Sequence, residues 1–201
     1  MSDKETLAVY AKAAGEYAKR FTQVDDADVD QFSDLKAFFA LLPDNGLVLD
    51  FGCGPGQWAA KIRDAGYNVV AMDASSEMAA LAKEHFDLDV SVATFEQLEA
   101  QGLYDGIWAN FSLLHAPKSE IAEHLTRIHN ALKPGGAFHI GTKLGDGENR
   151  DHLGRFYSYY REEELIGLLE AAGFTVTRKR TGSAVGLAGS DDTFVILTAH
   201  G

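Results

Sequence analysis

The chain has 201 residues, 46% of them hydrophobic, which is enough for one well-buried core and short for two, so residues 1–201 are expected to form a single domain. A formal charge of −12 repels phosphate backbones, and no apolar run approaches the roughly 20 residues that cross a bilayer, so neither nucleic acid nor membrane is expected as a partner. The start, MSDKETLAVY, lacks the apolar core of a signal peptide, and the single cysteine, Cys53, excludes an internal disulfide and a cysteine-cluster metal site; a soluble cytoplasmic protein is expected.

Residues 1–43 read as two helices, around Leu7 to Phe21 and Val29 to Leu42, ended by Pro43 and the turn Asp44-Asn45-Gly46. From residue 44 the pattern changes. Strand-length apolar runs at 47–51, 69–72, 90–92, 107–110 and 137–142 alternate with helical stretches at 57–65, 76–86 and 118–131. That alternation predicts an α/β fold, a doubly wound, mostly parallel sheet with helices on both faces. A helix at about 161–172, the strand FTVTRKR, a glycine-rich connection from Gly182 to Gly189 and the strand TFVILTAH then predict an antiparallel addition at one sheet edge. The basic run Arg178-Lys179-Arg180 reads as a solvated face of that late strand.

The stretch LDFGCGPGQW, Leu49 to Trp58, ends the first strand in a glycine turn and opens a helix, the place where open α/β sheets bind ligands. An acid about 20 residues on, Asp73, suits a ribose. Two details argue against a dinucleotide. The spacing is Gly-x-Gly-x-Gly, and Asp50 would set a carboxylate beside the pyrophosphate. A ribose-bearing ligand with a cationic end fits better, and S-adenosylmethionine has that description.

With those residues in place, VLDFGCGPGQWAAKIRDAGYNVVAMDASSEMAALAKEH resembles the first half of a class I S-adenosylmethionine-dependent methyltransferase, of the small Rossmann-like type 11 or type 25 kind. The blocks YDGIWANFSLLHAP, IHNALKPGGAFHIGT and YYREEELIGLLEAAGF follow in the family's order, so the likeness runs from about Leu47 to Val176. It implies a seven-stranded Rossmann-like sheet, with residues 1–43 as a helical cap over the cofactor. It implies S-adenosylmethionine as methyl donor, with S-adenosylhomocysteine as product, and a small-molecule acceptor. A non-catalytic cofactor-binding protein and methylation of a protein or RNA are the rival readings, and a monomer or homodimer is expected.

By the family pattern Asp50, Gly52, Gly54 and Gly56 hold the methionine portion, with backbone contacts from Cys53 and Gln57, and Asp73 takes the ribose hydroxyls. Ala74 and Met78 lie against adenine, although Met78 is equally a helix core residue. The family's adenine-binding aspartate is replaced by Thr94, with Phe95 able to border the base. Asn110 and Phe111 stand at the methyl-transfer mouth, where ANFS departs from the block of base-modifying enzymes.

His115 is the candidate general base, or else a cofactor-bordering residue; no metal is expected at the remaining histidines. Tyr10, Tyr17 and Arg20 lie at helical spacing and either close over the site or pack on the sheet. The long connection KLGDGENRDHLGRFYSYY offers Arg150, His152, Arg155, Tyr157, Tyr159 and Tyr160 as an acceptor pocket for a carboxylate or phenol-like molecule, or as aromatics that pin the loop.

Overall fold

The computed structural model describes residues 3–21, 29–186, 188–189 and 191–201, with the backbone alone for residues 14, 16–21 and 29–31. Helices α1 (Lys4–Phe21) and α2 (Val29–Phe39) come first. Asp3 starts α1 by accepting the N–H of Thr6 at 2.8 Å, as an N-cap side chain does. Strands β1 (Leu47–Phe51), β2 (Asn68–Asp73), β3 (Val90–Val92), β4 (Tyr104–Asn110) and β5 (Leu132–Lys143) then alternate with α3 (Gln57–Asp64), α4 (Ser76–Phe86) and α5 (Lys118–Ala131). The chain closes with β6 (Glu148–Arg150), β7 (Phe156–Ser158), α6 (Glu162–Ala171), β8 (Thr175–Val185) and β9 (Asp191–His200).

Seven strands form one sheet in the order β3-β2-β1-β4-β5-β9-β8. The first five run parallel, while β9 pairs antiparallel with β5 and β8 with β9, which is the expected mostly parallel sheet with an antiparallel edge. Alternation along the strands sends side chains to two helical layers. Ile107 and Ala109 of β4 join Leu125 and Ile128 of α5 and Leu165 and Leu169 of α6, whereas Trp108 joins Leu35 and Phe38 of α2 and Trp58 and Ile62 of α3. The strand order reverses between β1 and β4, so the glycine turn after β1 opens at the switch point.

The tail differs from expectation in three ways. The connection after β5 contains a hairpin, β6 with β7, whose three-residue strands are too short to carry a readable alternation. Strand β8 continues to Val185, through the first half of the glycine-rich stretch. Finally, the run at 178–180 is a solvated face only at Lys179. Arg178 and Arg180 both hydrogen-bond the carboxylate of Asp34, which is 1% exposed on α2, and so clamp that helix to the edge strand.

Candidate active site

The glycine turn is held by neighbouring strands. The N–H groups of Gly52 and Cys53 both donate to the carbonyl of Met72, at 2.8 and 3.0 Å. Gly52 has φ 78°, and a Cβ there would meet Cβ of Ser112 at 2.4 Å, so a side chain is barred by both conformation and space. Asp73 braces the turn from β2: Oδ2 accepts the N–H of Gly54 and Oδ1 that of Ser75, each at 2.8 Å. Each oxygen keeps a lone pair for a further donor. Burial raises the Asp73 carboxyl, and the backbone N–H groups of Ser75 and Gly54 oppose that shift.

Asp50 sits beneath the turn, 1% exposed. Its carboxyl accepts from the N–H of Ala59 in the first turn of α3, a helix whose N-cap, Gly56, offers no side-chain bond. Oδ2 is buried and has no partner among the described residues. Desolvation, with the nearby charge of Asp73, pushes Asp50 up to about 8. A buried carboxyl with an orphaned oxygen is a receptor for positive charge.

Above the turn lies a cleft of about 650 Å³. Gly52, Cys53, Gly54, Gln57 and Trp58 form one end, Asp73, Ala74, Ser75, Met78 and Phe95 a second side, and Asn110, Phe111, Ser112 and His115 a third. Leu7 and Tyr10 of α1 cover it. Phe111 has φ 56°, a strained conformation for an aromatic residue, held at the rim of the cleft.

A chain of polar contacts latches α1 over this cleft. His115 Nδ1 lies 2.6 Å from the carbonyl of Phe156, which can only accept, so Nδ1 carries the proton and Nε2 accepts from the Tyr10 hydroxyl at 2.8 Å. Arg155 donates to the same hydroxyl at 3.3 Å and is held by Asp151 through bonds of 2.9 and 2.6 Å. The N–H of Phe156 donates to Thr6 Oγ1 at 2.8 Å. Burial lowers His115 to about 3, so it is neutral.

Residues 25–179 match the family model of a methyltransferase domain. The chain belongs to that methyltransferase family. It is 30% identical to an uncharacterized methyltransferase of Synechocystis sp. over 66% of this chain and 68% of that one. It is 32% identical to a malonyl-[acyl-carrier protein] O-methyltransferase of Pectobacterium atrosepticum over 72% of this chain, a match that spans 55% of the relative. Among solved structures, 1,6-didemethyltoxoflavin-N1-methyltransferase of Burkholderia thailandensis, with its substrate and S-adenosylhomocysteine bound, aligns at 27% identity and TM-score 0.74 over 100% of this chain and 90% of that one.

This methyltransferase uses S-adenosylmethionine. The donor set suits that molecule, with lone pairs on Asp73 for hydroxyls, an unmatched acid at Asp50 for a cationic end and an apolar wall of Met78 and Phe95 for a base.

The structure gathers most of the predicted cofactor residues around the cleft, with exceptions. Gly56 points away from it, because a Cβ there would strike Ala82 of α4 at 2.9 Å; it serves helix packing. Asp50 lies under the lining rather than in it. Thr94 is also absent from the lining, its hydroxyl and N–H both donating to Gln97 in a capping arrangement. The side chains of Tyr17 and Arg20 lie outside the described residues.

The expected acceptor loop works differently. Arg150 is an exposed partner of Asp3 and Glu5, His152 is exposed, and Tyr160 is 1% exposed in the core. Arg155 is spent on Asp151 and Tyr10, Tyr157 packs on His115 with ring centroids 4.7 Å apart, and Tyr159 borders Gly145. The loop is therefore mainly a latch for α1. Sequence reasoning missed Leu7, Trp58, Ser75 and Ser112; only Ser75 carried a local signal, as the N-cap of α4. Among the described residues, Glu96, Glu120 and buried His124 bring ligand atoms within 4.8 Å of one another behind Phe95, a grouping hidden in sequence because Glu96 belongs to a separate turn.

Proposed function

We propose that the protein methylates a small-molecule acceptor. The observation that carries this reading is the cofactor cleft itself, which is roofed by the latched α1 and has Asn110 and Phe111 in its lining. The named relatives support it in two directions, one an O-methyltransferase of malonyl-[acyl-carrier protein] and the other an N1-methyltransferase of 1,6-didemethyltoxoflavin.

S-adenosylmethionine supplies a methyl group on a positively charged sulfur. The chain's own task is alignment and the exclusion of water. Asp73 holds the ribose, Asp50 balances positive charge from below, and α1 seals the top. His115, neutral and engaged at both ring nitrogens, acts as a positioning residue for Tyr10 rather than as the general base.

Calorimetric titration with S-adenosylmethionine, S-adenosylhomocysteine and NAD tests the cofactor roles. Asp73→Ala is expected to weaken both adenosyl ligands by about tenfold or more, the scale of a charge-assisted hydrogen bond. Undiminished affinity would remove Asp73 from the site.

A further inference from the structure

A second cleft, of about 600 Å³, lies on the α2 side of the sheet and shares Trp58, Asn110 and Phe111 with the first. Three lining residues in common make the two spaces neighbours at the mouth after β4. Its walls are aromatic. Trp108 stacks on His139 with centroids 3.4 Å apart and planes at 10°, and Phe194 meets Phe111 edge-on at 5.7 Å. Arg180, fixed by Asp34, sits 5.2 Å over the Phe194 ring at the rim.

Two polar atoms packed behind this wall lack a hydrogen-bond partner among the described residues. His139 is fully buried and donates from Nε2 to Asn110 Oδ1 at 3.1 Å, which leaves Nδ1 as an unused acceptor; the indole N–H of Trp108 is an unused donor. Both atoms are shut off from the cleft, so what a ligand meets there is the aromatic surface around Phe111 and Phe194, which a flat molecule answers with its faces.

We infer that this second cleft is the acceptor pocket and that it takes a planar aromatic molecule. The inference rests on the methyltransferase reading. It also moves the acceptor from the 143–160 connection, whose arginines are already spent, to the space between α2, β4 and the β8–β9 edge.

Both tryptophans of the chain line the cleft, so intrinsic fluorescence reports its occupancy. The test titrates the full-length protein, loaded with S-adenosylhomocysteine, with lumazine (pteridine-2,4-dione) as the planar probe. Saturable quenching is expected, without displacement of S-adenosylhomocysteine. Ala184→Phe adds bulk at an exposed position of β8 that lines only this cleft. It is expected to weaken lumazine by about tenfold or more while leaving S-adenosylhomocysteine affinity unchanged, which also shows that the variant is folded.

Absence of saturable quenching in the loaded wild type overturns the inference. So does quenching that S-adenosylhomocysteine displaces, or that survives Ala184→Phe. Failure of S-adenosylhomocysteine itself to bind the wild type is a distinct result; it removes the cofactor reading and the inference with it.

Discussion

Asp50 is buried, holds the first turn of α3 and leaves one oxygen unmatched beneath the cofactor turn. Its pKa of about 8 means that the carboxyl is protonated in the ligand-free protein near neutrality. A cationic group above it favours ionisation, so binding below pH 8 releases a proton and affinity rises as the pH climbs toward 8. Calorimetry with S-adenosylhomocysteine between pH 6.5 and 8.5 is expected to show that rise, by up to about tenfold per pH unit where one proton is released. Asp50→Asn has no such proton to release and should give a flatter profile; an identical slope in both proteins would place the titration elsewhere. Asp73 lies close by but has both oxygens engaged by backbone N–H groups, which separates the two acids in role.

At the scale of elements, the β6–β7 hairpin and α1 form one unit around Arg155. Its guanidinium is 3% exposed and joins Asp151 to Tyr10, which in turn meets His115. Arg155→Met leaves Asp151 without its partner in a mostly buried position, at a cost of about 3 kcal/mol. It should also loosen α1, seen as weaker S-adenosylhomocysteine binding by about tenfold and faster proteolysis within residues 4–21. Arg150→Ala removes half-exposed contacts, the pairs to Asp3 and Glu5, a bond to the Gly154 carbonyl and the cation over Phe156, and is expected to change both measurements much less. Equal effects of the two substitutions would deny the buried chain its latching role.

At the scale of the whole molecule, the two-layered core imposes a cost at low pH. His139 is fully buried against Trp108, and desolvation lowers it to about 3. The unfolded chain takes up that proton near its ordinary value of 6.5, so this contribution to stability is lost as pH falls below 6.5. His139→Gln lacks the penalty. The stability of the wild type relative to this variant is therefore expected to drop by about 2 kcal/mol between pH 7 and 5, measured by urea unfolding. A difference independent of pH would show that His139 takes up its proton in the fold as readily as in the unfolded chain.

The sequence by itself determined the parallel βα order, the glycine turn with Asp50 and Asp73, and the methyl donor those residues receive. These signals are local: apolar runs set strands and helices, and positions close in sequence set the turn after β1. Tertiary structure alone decided what lies across that turn. Ser112 packs over Gly52, Trp58 and Asn110 come to line one cleft, and the arginines of 178–180 close on Asp34 of α2 rather than on solvent. It also turned the 143–160 connection from an expected acceptor pocket into a latch on α1, through partners more than a hundred residues apart. Such pairings depend on which strand edge each side chain reaches once the sheet has formed, and spacing along one chain carries no record of that.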